Sequence, residues 1–359
     1  MGCNMYETIS VRTVLIEITN MCNMKCAHCY NSFDRESHPK PCYMTLENVK
    51  HIIEKCMLYK LNKLYISGGE PLCHPDITKI IELCGNYPDI YFTITTNGLL
   101  LTEKIINQIE QYANICVQIS VDGLSKEVYE AQRGIGTFEE FIFVLEQLIS
   151  SKIRYLTART CVTKLNYREV KYIYEYLLNH NIMPSFLFVN QMGNAAKNWD
   201  VLSLSMANQL KVLNDINVLN KKHSQIVTPP EPVSTCNFTE NVEVKSMLIK
   251  YDGNVAPCQY FYSDNIGNIF EKDVSEILNY DNLKHYYELA KRRKGFIESS
   301  NVCTNCKIKK ICSYGCIGLA KICGNPLGMD GQCSYRTHVV SMYSNGIIPM
   351  PHNDEEDLV

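Results

Sequence analysis

The feature that most constrains this chain is a group of three cysteines, Cys22, Cys26 and Cys29, spaced Cys-x3-Cys-x2-Cys. They directly follow an apolar run at residues 14–18 that has the composition of a strand. Three thiolates in one short loop can hold three irons of a 4Fe–4S cluster and leave the fourth iron without a protein ligand. An open metal position is typical of a catalytic rather than a structural site. A zinc loop and a set of buried thiols remain alternatives at this point.

Size and composition fit a globular protein that binds metal. The chain has 359 residues, 46% apolar and 20% charged, which is enough for one large or two medium domains. A net charge of −3 without a basic block argues against nucleic-acid binding. The start lacks a signal peptide and no apolar run is long enough to span a membrane, so we expect a cytoplasmic protein. In that compartment 18 cysteines indicate metal ligation rather than disulfides.

The first half of the chain alternates strand and helix patterns. Candidate strands cover residues 13–19, 63–67, 91–96, 115–121, 154–162 and 185–189. Amphipathic helical patterns between them cover residues 46–58, 75–84, 102–112, 138–150 and 167–178. This alternation predicts an α/β fold with a parallel sheet, a partial (β/α)6 TIM-like barrel. The active site of such a barrel lies at the carboxyl ends of its strands, where the cysteine loop falls.

The rest of the chain reads as three further parts. We expect the barrel to occupy residues 1–190 and a linker with one helix, at 203–221, to occupy 191–235. Residues 236–340 are rich in Cys, Asn and Tyr and poor in regular patterns, so metal would have to supply much of their stability. Residues 341–359 form an acidic tail.

Four short motifs follow predicted strands or come shortly after one. They are Ser67-Gly68-Gly69-Glu70-Pro71, Thr95-Thr96-Asn97-Gly98, Ser120-Val121-Asp122-Gly123 and Arg133-Gly134. Adjacent glycines allow a close backbone approach, whereas Asn-Gly and Asp-Gly are also common turns. With the cysteine loop, the set resembles the radical S-adenosylmethionine (SAM) enzymes over about residues 11–195.

The resemblance implies a SAM site on the open iron of a 4Fe–4S cluster. The implied SAM-binding residues are Gly68, Gly69, Glu70, Pro71, Thr95, Asn97, Ser120, Asp122 and Arg133. Arg133 would bind the SAM carboxylate, since guanidinium binds carboxylate bidentately. His28 occupies a position that is usually aromatic in the family and lies near adenine; a plain packing histidine is the alternative.

A second cysteine array lies in the last third of the chain. Cys303, Cys306, Cys312, Cys316 and Cys333 follow the isolated Cys236 and a Gly-x4-Cys sequence that ends at Cys258. A zinc ribbon fits short cysteine pairs as well. The array is similar to the SPASM extension of radical SAM enzymes, which implies two auxiliary 4Fe–4S clusters. By position, Cys303, Cys306, Cys312 and Cys333 would hold one, and Cys236, Cys258 and Cys316 the other, with Cys323 a spare candidate.

The resemblance implies radical chemistry with net oxidation of the substrate. The substrate we expect is a ribosomally made peptide; a small molecule is the alternative, and sulfatase maturation is less favoured. In sulfatase-maturing enzymes an Asp base follows the cysteine equivalent to Cys258, whereas here Gln259 follows it, and an amide cannot accept a proton. Asp252 and Asp264 are substitute candidates, and no catalytic residue is assigned. The implied partners are a flavodoxin- or ferredoxin-type reductant and a separate leader-binding protein, with no nucleic acid and no membrane.

Overall fold

The computed structural model describes residues 9–31, 40–225, 227, 230, 238, 246–306, 308 and 314–344. Six strands alternate with helices along the first part, as the sequence pattern predicts. They are β1 (Thr13–Glu17), β2 (Lys63–Ser67), β3 (Tyr91–Thr96), β4 (Ile115–Ser120), β5 (Tyr155–Val162) and β6 (Met183–Phe188). Each pairs in parallel with the next, which gives the predicted α/β architecture of a partial barrel.

Three later strands extend this sheet beyond β1. β7 (Ser246–Ile249) pairs in parallel with β1, and β8 (Asn254–Ala256) and β9 (Gly267–Asn268) follow it in antiparallel pairing. The order is β6-β5-β4-β3-β2-β1-β7-β8-β9, so among the described strands β6 and β9 are the two edges and the barrel stays open. The sequence pattern did not predict these short strands, which lie within or next to the segment expected to be irregular.

Helices cover one face of the sheet. The helices between the first six strands are α1 (Leu46–Met57), α2 (Ile77–Gly85), α3 (Glu103–Ile109), α4 (Lys126–Arg133), α5 (Phe138–Ser150) and α6 (Val170–Asn179). The α1 helix begins where the Thr45 side chain accepts a hydrogen bond from the Asn48 amide at 3.2 Å, a typical N-cap. Its apolar side, including Ile52 and Ile53, is buried in the core that the helices share with the sheet.

Further helices follow β6. They are α7 (Gly193–Lys197), α8 (Trp199–Leu202), α9 (Met206–His223), α10 (Val274–Ile277), α11 (Tyr280–Glu298), α12 (Asn301–Thr304), α13 (Ile317–Ile322) and α14 (Cys333–Ser344). The predicted linker helix exists as α9, and it packs against α6 with Val212 and Ile216 in the main core. The domain boundaries stay predictions. None of the described helices has the length and apolar character needed to cross a membrane.

The two faces of the sheet differ in chemistry because successive strand residues point to opposite sides. Val14, Ile16 and their counterparts on β2–β6 are buried beneath the helices. We call the opposite side the inner face. Near the carboxyl ends of β1–β5 it carries Glu17, Ser67, Thr95, Gln118, Ser120 and Arg159. The opening of the partial barrel is therefore lined mostly by polar side chains.

Candidate functional site

The cysteine loop follows β1 and is fixed by hydrogen bonds from distant parts of the chain. The Ala27 amide donates to the Gln132 carbonyl at 2.8 Å, and the Asn194 amide donates to the Cys29 carbonyl at 2.8 Å. The Asn194 side chain donates to the Cys26 carbonyl at 3.0 Å. The loop is therefore held in place by contacts with the rest of the chain.

Gly68 and Gly69 bring the end of β2 against this loop. The Gly69 amide donates to the Thr19 carbonyl at 2.8 Å, and the Glu70 amide donates to the Met21 carbonyl at 2.7 Å. A Cβ on Gly68 would lie 2.4 Å from the Thr19 carbonyl oxygen, and one on Gly69 would lie 2.2 Å from that of Met21. Gly68 also has a φ of +145°, which favours glycine. The glycines are thus required for the close packing of the two loops.

Glu70 ties the ends of β2 and β3 together. Its buried carboxylate accepts from the Thr96 hydroxyl at 2.6 Å, the Asn97 amide at 2.8 Å and the Leu72 amide at 3.1 Å. Burial raises the pKa of Glu70, and these donors oppose the shift. All three donors belong to the chain, so this geometry gives Glu70 a positioning role; direct contact with SAM stays a prediction.

Asp122 is the centre of a buried charge group beside the cysteine loop. Its Oδ2 lies 2.5 Å from Arg133 Nε and 3.3 Å from His28 Nε2, and its Oδ1 accepts from the Cys161 amide at 2.7 Å. Burial disfavours the charge on Arg133, but the negative groups around it, Asp122 first among them, together outweigh burial and raise the pKa of Arg133. Burial lowers the pKa of His28 to about 4 against the opposing effect of Asp122, so this imidazole is neutral at pH 7.

Arg133 and His28, which were predicted to contact SAM, both have a partner within the chain. Arg133 pairs with the Asp122 carboxylate, while its Nη1 lies 3.7 Å from Cys26 Sγ. The guanidinium charge opposes the effect of burial, which raises the pKa of the Cys26 thiol. His28 Nε2 faces Asp122, and its buried Nδ1 has no hydrogen-bond partner within the described part of the chain. The predicted contacts of both residues with SAM stay predictions.

The residues around the loop fit an iron–sulfur cluster. Three thiols lie within eight consecutive residues, close to a guanidinium that favours a thiolate. The adjoining strand ends carry polar side chains on the inner face, among them Ser67, Thr95 and Ser120. This donor set suits three corners of a 4Fe–4S cluster with one open iron. Pro71 begins a 3₁₀ turn and, with Thr95 and Ser120, lies at the same edge of the sheet.

Three of the predicted auxiliary ligands lie together. Cys303, Cys306 and Cys333 line one cavity, together with Tyr314 and Arg336. The Arg336 guanidinium forms a buried ion pair with Asp330 at 2.6 Å, which anchors one wall of the cavity. Cys312, the predicted fourth ligand, lies outside the described residues.

Cys258 and Cys316 both lie near the side chain of Tyr260. Both thiols act electrostatically on the Tyr260 phenol, whose pKa is raised chiefly by burial. Cys316 begins α13, where its Sγ accepts from the Leu319 amide at 3.4 Å. Cys236 lies outside the described residues, and the spare candidate Cys323 is exposed. In the described ranges, no three His, Cys, Asp or Glu side chains converge on a site for a single metal ion.

A turn at Gln259–Phe261 connects this cysteine region to the barrel opening. The Tyr262 hydroxyl donates to the Glu17 carboxylate at 2.6 Å, and the Asn190 side chain donates to the Tyr260 hydroxyl at 3.4 Å. Glu17 is buried and also accepts from the Asn31 side chain at 2.8 Å. Chain-order patterns could not predict these contacts, because they join residues up to 245 positions apart.

The substitute bases considered from the sequence are engaged locally. Asp252 accepts from the amide and side chain of Asn254 in the turn between β7 and β8. Asp264 accepts from the Tyr286 hydroxyl at 2.9 Å and lies 3.4 Å from Lys321 Nζ. Neither contact places a carboxylate on the inner face, so no base is assigned to them.

An open parallel barrel with a three-cysteine loop at its strand ends defines an iron–sulfur enzyme of the partial-barrel class. Comparison with known proteins identifies the family. Residues 16–177 match the radical SAM superfamily, and residues 236–307 match SPASM, an iron–sulfur cluster-binding domain. The chain belongs to the radical SAM superfamily and carries a C-terminal SPASM domain. These domains imply a SAM-bound 4Fe–4S cluster and auxiliary iron–sulfur clusters.

The similar proteins have different functions. The probable GTP 3′,8-cyclase of Methanocaldococcus jannaschii is 24% identical over 80% of this chain and 97% of its own length. The mycofactocin maturase MftC of Mycolicibacterium smegmatis is 24% identical over 94% of this chain and 86% of its own. The crystal structure of Streptococcus suis SuiB bound to SAM matches with a TM-score of 0.71 at 16% identity, covering 90% of this chain and 77% of that one.

Proposed function

We propose that this radical SAM enzyme oxidises a ribosomally made peptide, by crosslinking or another side-chain or backbone modification. The observation that carries the proposal is the contact between the SPASM segment and the barrel opening, made by Tyr260 and Tyr262. Cys258, a predicted auxiliary ligand, is two residues before Tyr260, whose hydroxyl accepts from the side chain of Asn190 just after β6. An electron acceptor held there would be close to a substrate in the barrel.

The open sheet supports a chain-like substrate. Among the described strands β6 and β9 do not pair, so a peptide could extend beyond the barrel. SuiB has been solved with its precursor peptide SuiA, which shows that this fold accommodates a peptide in that protein. MftC, a maturase, is similar along nearly the whole of this chain.

We assign roles to the residues of the chain as part of this proposal. Cys22, Cys26 and Cys29 would hold the SAM cluster, and the loops after β2, β3 and β4 would surround SAM. When bound, SAM and the clusters supply a 5′-deoxyadenosyl radical that removes a substrate hydrogen and an acceptor for one further electron. Glu70 and Asp122 hold these loops in place, and Arg133 keeps positive charge beside Cys26. The polar inner face orients the substrate below them.

The proposal is tested with reconstituted enzyme, SAM, a reductant and a small precursor peptide encoded next to the gene. A crosslink or an unsaturation removes two hydrogens, so we expect the peptide mass to fall by about 2 Da with deoxyadenosine formed. Cys26→Ala provides the inactive control. Deoxyadenosine without any change in peptide mass would contradict a peptide substrate.

A small-molecule substrate is the second candidate. The similarity to a probable GTP 3′,8-cyclase over 97% of that protein's length favours it. Incubation with GTP in place of the peptide separates the two candidates. GTP consumption that depends on SAM would favour the second.

A further inference from the structure

Arg159 lies on the inner face of the barrel near the carboxyl end of β5. Its neighbours Ala158 and Thr160 are buried on the side that the helices cover. Strand alternation therefore directs Arg159 to the opposite side, where it is exposed. Its register partners are Ser120 on β4 and Ser185 on β6, so it stands between two small polar residues.

The Arg159 guanidinium differs from that of Arg133. Arg133 is nearly buried and paired with Asp122 at 2.5 Å. Arg159 has neither an ion pair nor a side-chain hydrogen bond to any residue that the structure describes. Its charge acts on the Tyr30 phenol beside the cysteine loop and on the Cys161 thiol of the same strand. It is thus a cation next to the predicted reaction site without a counter-ion among the described residues.

Gln118 supplies a second unsatisfied group on the same face. It lies on β4, two residues before Ser120, and the residue is 6% exposed. Its carbonyl Oε1 is buried without a hydrogen-bond partner among the described residues. A buried acceptor left without a donor is costly, so buried polar groups of this kind are usually satisfied, either by the protein or by a ligand.

The two groups complement each other chemically. A guanidinium binds a carboxylate through two parallel hydrogen bonds, and an amide oxygen accepts from an N–H donor. A peptide carries both a carboxylate, on Asp, Glu or its C-terminus, and backbone N–H groups. The peptide therefore does not have to pair with an edge strand of the sheet, because the two side chains supply both contacts.

We propose that Arg159 and Gln118 form a substrate subsite in which Arg159 binds a carboxylate of the peptide and Gln118 Oε1 accepts a hydrogen bond from a peptide N–H. This subsite rests on the proposed peptide function and adds a specificity to it: an acidic group is required at one fixed position of the substrate.

The test is selection of binders from a library of random dodecapeptides by reconstituted, SAM-loaded enzyme. Wild type is compared with Arg159→Gln, and Arg154→Gln is the matched control. Arg154 directly precedes β5 at the opposite end of the strand, where its guanidinium lies over the Tyr155 ring. One library has free and one has amidated C-termini, which separates a C-terminal carboxylate from an Asp or Glu side chain.

We expect wild type and Arg154→Gln to enrich an acidic group at one position, and Arg159→Gln to lose that enrichment. A selected peptide should bind to Arg159→Gln about tenfold to a hundredfold more weakly than to wild type, because the charge-assisted contact is lost. Gln118→Met should weaken binding of acidic and neutral peptides alike, since it removes only the N–H acceptor. Thermal melts of each variant establish that the loss does not come from unfolding.

Four results would overturn the subsite. A wild-type consensus without an acidic group contradicts it and leaves the peptide function standing, whereas no peptide consensus at all contradicts both. Acidic enrichment that persists in Arg159→Gln assigns recognition elsewhere. A loss of SAM or GTP affinity in Arg159→Gln, measured by titration calorimetry, would assign the guanidinium to that ligand instead.

Discussion

The two cysteine regions of this protein are built in different ways. The loop that carries Cys22, Cys26 and Cys29 is held by backbone contacts with Gly69, Asn194 and the end of α4. The cavity lined by Cys303, Cys306 and Cys333 lies among short helices, with Arg336 and Asp330 as its buried anchor. From this difference we infer that the protein itself preorganises the first region, and we expect the auxiliary region to depend on its metal for order.

Removal of iron should separate the two regions most strongly. With the clusters removed anaerobically by a chelator, we expect amide hydrogen exchange at residues 301–306 and 317–322 to accelerate about a hundredfold or more, because metal binding there supplies folding energy. Amides of β1 and β2 should change much less. Equal acceleration of Ala27, which donates to the Gln132 carbonyl, would contradict preorganisation of the first loop.

Asp122→Asn should destabilise the barrel near the cysteine loop. It leaves the buried Arg133 guanidinium without its carboxylate, and breaking such a pair costs ~3–5 kcal/mol. Denaturant unfolding of the iron-free protein measures the loss. Glu139→Gln makes the same exchange in the exposed pair with Lys126 and should have little effect. Equal stability of Asp122→Asn and wild type would show that the buried group is not structural.

Glu70→Gln should have a smaller effect. The amide keeps the shape of the side chain but weakens its contacts with the Thr96 hydroxyl and the Asn97 amide, at a cost of ~1–3 kcal/mol. Because these contacts join the loops after β2 and β3, SAM affinity should fall as well. Thr96→Val, which removes one donor, should lower both the free energy of unfolding and the SAM affinity by a smaller amount. A larger effect of Thr96→Val would contradict the central position of Glu70.

Tyr262→Phe should have the smallest effect and should locate the contact between the SPASM segment and the barrel. It removes the hydroxyl that donates to Glu17, a net contribution of ~0.5–1.5 kcal/mol. We expect faster hydrogen exchange near residues 259–264 and more SAM cleavage without peptide modification. The exposed Tyr172→Phe is the control. If the ratio of SAM cleavage to peptide modification does not change, this contact has no functional role.

The sequence predicted the regular part of the fold well because alternation and helical periodicity are local signals. β2 and β3 have the predicted bounds, and α5 matches the predicted 138–150. β1 ends at Glu17 rather than at 19 because Thr19 leaves the ladder and bonds the Cys42 carbonyl through its hydroxyl. β5 begins one residue later than predicted and β6 two residues earlier.

The features that sequence patterns missed depend on contacts between distant segments. No local signal shows that β7 pairs with β1, since that pairing joins residues more than 230 positions apart. The two contacts of Asn194 with the cysteine loop likewise could be found only in the structure. Arg159 carried a weak signal, a cation between Ala158 and Thr160 in an apolar strand, which gains meaning once the inner face is known.

Iron content and SAM cleavage in one variant test the central claim most directly. Simultaneous Cys22→Ala, Cys26→Ala and Cys29→Ala exchange removes only the ligands proposed for the SAM cluster. We predict that the variant folds, loses about four irons per chain relative to wild type, retains the auxiliary iron, and forms no deoxyadenosine. Iron content equal to wild type, or continued SAM cleavage, would contradict the assignment of the catalytic cluster to this loop.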